Sequence, residues 1–240
     1  MRTTAATSAA AAATLVVAAA FAVPASARTE PEVRQMVVFR HGVTHQGSVN
    51  ASPTVVRVRG RRCGVAGGTA LAALVRREAR VRLRDFGSCS RRGRDAGGLF
   101  VSGIGSNVNF GRSGWVYKVG NRLATTGAAD PSGPFGRGRI RPGSKITWFY
   151  CRYRRGGCQR TLVARLSATP GLLTVHVHSY DDRGRAVPVA GASVNGIASM
   201  PTPTGPDGVA RFPLIPGEYR VWATHPGVVR SFTETAVVSN

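Results

Sequence analysis

Two short arginine-rich spans carry the clearest chemistry in this chain. Arg57 and Arg59 alternate with Val56 and Val58, followed at once by Arg61 and Arg62. Further on, Arg80, Arg82 and Arg84 alternate with Val81 and Leu83. Strand-like alternation that puts one guanidinium after another on a single face makes a surface for polyanions. Arg91, Arg92 and Arg94 extend the second span. A solvated basic face is the alternative, and the charge balance decides between them. Residues 28–160 hold 26 Lys+Arg against 6 Asp+Glu, whereas residues 161–240 hold 6 Arg against 5 acids. A genome rich in G and C explains arginine in place of lysine but not the scarcity of acids. The excess therefore points to anionic partners, anionic cell-wall polymers or other polyanions.

A second set of residues suits a small ligand. Trp115 and Tyr117, with Lys118 beside them, and Trp148 and Tyr150 further on, fall in two aromatic alternating runs. They either line a groove, with Trp115 as its exposed platform, or pack a sheet against a helix, which is the commoner fate of such rings. Catalytic sets are missing. There is no GxSxG elbow, no pair of carboxylates spaced for glycoside chemistry, and Gly103-Ile-Gly105 is not followed by a helix pattern. His176 and His178 share a strand face near Asp181 and Asp182, but no third metal ligand is placed, so they read as a solvated strand. No metal and no cofactor are expected, and the chain reads as a binding protein rather than an enzyme. A hydrolase with an unrecognisable site is the remaining rival.

The chain opens with Arg2, an apolar run from Ala9 to Val23, Pro24 and then Ala25-Ser26-Ala27. This reads as a secretory signal over residues 1–27, cleaved after Ala27, with an uncleaved anchor as the alternative. The destination is the outside of the cell or its surface. There an even count of cysteines favours disulfides. Cys151 and Cys158 flank a turn-like Arg-Arg-Gly-Gly insert, which leaves Cys63 to pair with Cys89. CxxC spacing for zinc is absent.

The elements that must position these residues divide the chain. Residues 28–53 read as an irregular lead-in with one short strand near Met36 to Phe39. Residues 54–166 carry strands and a single helix from the Thr69 cap to about Glu78, with Leu71, Leu74 and Val75 as its buried stripe. Residues 171–240 show only short strands, at Leu173 to Val177, Ala192 to Val194, Val209 to Phe212 and Tyr219 to Ala223, split by Gly, Pro and Asn195-Gly196 turns. The expected fold class is β-rich with two domains, a small α+β domain and then an all-β sandwich.

Residues Thr69 to Leu74, Gly114-Trp-Val-Tyr-Lys-Val119 and Pro142 to Trp148 resemble the C-terminal domain of transcobalamin and intrinsic factor and its secreted bacterial relatives. The resemblance implies a β-grasp-like α+β domain that caps a ligand, cobalamin in the vitamin carriers. The helical barrel of those carriers is missing, and their Asn-Gly turn is reversed as Gly120-Asn121, which speaks against cobalamin here. Val187 to Val194, Thr204 to Phe212 and Pro216 to Val221 resemble the carboxypeptidase-regulatory-like, or collagen-adhesin B-type, immunoglobulin-like sandwich modules that act as spacers. The Lys–Asn cross-link of some such modules has no counterpart, because residues 161–240 contain no lysine. The functional expectation is a secreted binding protein whose basic domain holds an unidentified ligand and whose sandwich presents it. The alternative is a structural envelope protein held to anionic wall polymers.

Overall fold

The computed structural model describes residues 30–87, 89, 92, 97–154 and 156–239, so the expected signal over residues 1–27 lies outside the described residues. The fold is β-rich, with one helix among the described residues. In chain order the first elements are β1 (Glu32–Val38), β2 (Thr44–Asn50), β3 (Thr54–Val58), β4 (Arg61–Val65), α1 (Ala70–Arg77), β5 (Val81–Asp85), β6 (Leu99–Ile104), β7 (Asn107–Val108), β8 (Gly114–Val119), β9 (Arg122–Leu123) and β10 (Lys145–Cys151). Then come β11 (Thr161–Thr169), β12 (Leu172–Tyr180), β13 (Ala186–Pro188), β14 (Ser193–Asn195), β15 (Thr202–Pro203), β16 (Val209–Pro213), β17 (Gly217–Thr224) and β18 (Glu234–Val238).

A five-stranded sheet in the order β2-β1-β10-β8-β9 organises the basic half. Its central pair, β1 and β10, is parallel, and every other pairing is antiparallel. The helix lies against β1 and β2. It starts as expected, with the Thr69 hydroxyl accepting from the Ala72 N–H, and Glu78 is its C-cap. Leu71 and Leu74 are fully buried, and so is the Ala72-Ala73 pair between them. Arg76 and Arg77 in the last turn oppose the negative end of the helix dipole.

The lead-in expected over residues 28–53 is not irregular. Its residues form the β1–β2 hairpin, with β1 extending the short strand expected near Met36 back to Glu32, and β1 is an interior strand of the sheet. Val33, Gln35, Met36 and Val37 are all buried, so both faces of β1 are covered. A strand covered on both faces lacks the one-sided alternation that marks a strand in sequence. Its partner Thr44–Asn50 is poor in strand formers, which hides it as well. A boundary at residue 54 therefore cuts this sheet, and one at 166 falls inside β11.

Strands β3 and β4 form a two-stranded sheet and β5-β6-β7 a three-stranded one, while β11 to β18 form two four-stranded sheets. One runs β11-β12-β13 with β16 also paired to β12, and the other runs β15-β14-β17-β18. Leu173, Val175 and Val177 of β12 meet Val194, Val221 and Ala223 in one apolar cluster. The Asn195-Gly196 turn sits where expected: Gly196 has φ +90°, and a Cβ there would collide with the Arg220 carbonyl. A third, smaller cluster joins Phe149 and Cys151 of β10 to Val229 of the β17–β18 loop. It exists because β10 is buried on both faces, one toward the helix and one toward the later strands.

Candidate functional site

The arginines of the first span stand on the β3–β4 hairpin. Arg57 and Arg62 are cross-strand partners, Arg59 sits in the turn and Arg61 follows it, paired with Val58. The turn residues Arg59 (φ 48°) and Gly60 (φ 80°) are both left-handed, the conformation whose twist suits a two-residue hairpin connection. Arg59 is the only non-glycine residue with positive φ among the described residues. Holding a long side chain there costs on the order of 1 kcal/mol. Like charges directly across a ladder also repel. Both costs are borne by a hairpin with no acid between Thr54 and Val65.

Beside it, β5 puts Val81 and Leu83 inward while Arg82 and Arg84 stand exposed, with Arg80 just before them. Strands β3 and β5 are neighbours, and the Cys63–Cys89 disulfide ties β4 to the segment after β5. The seven predicted arginines are thus all exposed and lie on two adjoining elements, and none forms an ion pair among the described residues. Arg84 pairs across to the exposed Phe100, whose ring meets the exposed Phe86 edge-on at 5.8 Å. The face therefore offers cations interleaved with apolar rings. Arg91 and Arg94 lie outside the described residues.

Trp115, Tyr117 and Lys118 are in a different place. Trp115 is 4% exposed, so it is not an exposed platform. Its indole N–H donates to the Asn107 carbonyl at 2.8 Å, and its ring packs edge-on against Phe39 and Tyr150. Tyr117 stacks on Trp148 at 4.9 Å and donates to the Thr126 carbonyl at 3.2 Å. Burial pushes its phenol up to about 12. These rings wall an apolar cavity of about 170 Å³ shared with Phe100 and Ala128. That is smaller than the roughly 300 Å³ of an ordinary small-molecule site.

Lys118 is fully buried on the opposite face of β8. Its ammonium donates to the carbonyls of Tyr180 (3.0 Å) and Asp181 (2.9 Å) and to the Thr161 hydroxyl (3.3 Å), with the Asp182 carboxylate at 3.7 Å. Burial pulls it down to about 8 despite those neighbouring acids. It fastens the basic sheet to the strands β11 and β12, a role that no short-range pattern around residue 118 announces.

Both disulfides expected from sequence are present, Cys63–Cys89 and Cys151–Cys158, and no described cysteine is free. No described helix is long and apolar enough to cross a membrane. Two disulfides fit an oxidising, extracellular setting. No family model, no curated protein and no solved structure matches this chain.

Proposed function

We propose that this is a secreted, non-enzymatic binding protein that holds an extended anionic polymer along the arginines of β3–β4 and β5. One observation carries the reading: a hairpin that sets Arg57 against Arg62 and strains Arg59, with no acid to relieve them. Such an arrangement is unfavourable alone and becomes favourable beside phosphates, sulfates or carboxylates. Guanidinium groups bind those oxygens through paired N–H donors. Strand rows without an enclosing pocket read charge rather than sequence.

The order β2-β1-β10-β8-β9, with a parallel central pair and one helix across it, supports a β-grasp-like basic domain. The two sheets that share the β12–β17 core support an immunoglobulin-like spacer of the carboxypeptidase-regulatory kind. In this reading the spacer presents the arginine face, and retention on anionic wall polymers is the biological outcome.

The test is retention of the full exported chain on immobilised teichoic acid and heparin, with a neutral glucan as control. Binding is expected at about 50 mM salt, with affinity falling by several log units per log unit of salt. The variant Arg59→Asn/Arg61→Ser/Arg62→Ser should flatten that slope by roughly 0.9 per lost contact. Binding unaffected by these changes, or equal binding to the glucan, rules the reading out.

A further inference from the structure

The loops around the third apolar cluster enclose a second cationic site. A cleft of about 440 Å³ opens where the β1–β2 turn, the end of β10 and the β17–β18 loop meet. Phe39, Phe149 and Val229 give it apolar walls. Arg40, Arg152, Arg154 and Arg230 also line it, and among the described residues its wall contains no Asp or Glu. None of the four arginines forms an ion pair among the described residues.

The site is built rather than incidental. The Cys151–Cys158 bridge closes the segment that carries Arg152 and Arg154. Its base is fixed by the Arg152 N–H donating to the Gln159 side chain at 2.9 Å. On the opposite wall, the Leu162 N–H donates to the Val229 carbonyl at 2.8 Å, and the Val229 N–H donates to the Arg160 carbonyl at 2.9 Å. Arg40 lies over the Tyr150 ring at 5.9 Å. Arg230 is held over the Trp222 ring and against Thr233. The Arg154 guanidinium has no partner among the described residues, and the Arg152 guanidinium makes only a long contact of 3.5 Å to the Arg40 carbonyl.

The geometry points to a binding site for a small organic anion, a phosphate or carboxylate carried on an apolar ring. The apolar wall takes the ring and the guanidinium groups take the anionic head. The volume falls within the range of single small-molecule sites. An extended polymer, by contrast, suits the open hairpin face. This cleft shares no residue with that face, so the two can fail separately.

Calorimetric titration of the full exported chain with 1-naphthyl phosphate, inorganic phosphate and 2-naphthol tests it. Naphthyl phosphate should bind at least about tenfold more tightly than either of the others, since only it fills both parts of the cleft. Arg40→Gln/Arg154→Gln should weaken it by tenfold or more, the loss expected when charge-assisted hydrogen bonds are removed. Both residues are exposed, and circular dichroism should show an intact fold. Arg152→Gln, on the same wall, gives an independent check. Arg61→Ser/Arg62→Ser on the hairpin should leave this binding unchanged. The site is refuted by no heat of binding at millimolar naphthyl phosphate, by inorganic phosphate or naphthol binding equally well, or by indifference to the cleft substitutions.

Discussion

Lys118 is the residue whose environment departs furthest from what its surroundings in the sequence suggest. Next to two aromatics it looks like a ligand contact, yet its partners are carbonyls about sixty residues away. Its titration gives a signed prediction. In the folded protein it releases its proton near pH 8, and in the unfolded chain near 10.5. Between those values the unfolded state binds more protons, so stability should rise with pH. Tyr117 acts in the other direction. The folded protein keeps its phenol proton to about pH 12, whereas the unfolded chain loses it near 10. Stability should therefore climb from pH 8, peak near 10 and then fall. Urea unfolding across this range should show the climb in the native chain and not in Lys118→Met. An unchanged climb in that variant would assign it to other groups. Trp115, with its indole hydrogen-bonded inside the core, should behave as a packing residue. Trp115→Ala is expected to cost about 3–5 kcal/mol in the same assay.

At the level of elements, what could be read from the sequence is what local chemistry determines. Thr69 announces the helix because an N-cap oxygen and an apolar stripe are both local. β12 is legible because only alternate residues are fully buried. β1 is legible only at its end, near Met36, because it is covered on both faces and carries Gln35 inside. The arginine hairpin was legible as a charged strand, but its strained turn was not, since Arg at a left-handed position runs against the Asn or Gly expected there. The cleft arginines were illegible because Arg40, Arg152 and Arg230 meet only through tertiary folding. The hairpin also predicts a trade-off. Arg62→Thr removes the cross-strand repulsion with Arg57, so stability should rise by a few tenths of a kcal/mol while polyanion affinity falls. Loss of both together would mean that Arg62 supports the fold. The two disulfides should contribute unequally. With separations of 26 and 7 residues, the chain-entropy relation gives about 3.5 kcal/mol for Cys63–Cys89 and about 2.4 kcal/mol for Cys151–Cys158. Paired Cys→Ser variants, unfolded side by side, measure the difference.

Across the whole molecule, the two large apolar clusters are joined by polar fastenings and one small apolar patch. Glu234 of β18 accepts from Arg34 and Lys145, both at 2.7 Å, and both cations also lie against the Phe232 ring. Gln46 and Thr233 exchange a reciprocal pair of hydrogen bonds at 2.8 and 3.0 Å. Lys118 closes the other side. These contacts are individually modest: the Arg34 and Lys145 side chains are about a third exposed, so solvent screens their pairing with Glu234. Together they couple the clusters, because each holds the others' partners in place. Calorimetry of the native chain should accordingly give one cooperative transition. The double variant Lys118→Met/Glu234→Gln leaves both clusters intact and removes two of the three fastenings. Its melting should split into two transitions, and the cleft between the β1–β2 turn and the β17–β18 loop should lose affinity for naphthyl phosphate in parallel. A single transition that merely shifts downward in the variant would mean that the apolar patch around Phe149 and Val229 is sufficient to couple the molecule.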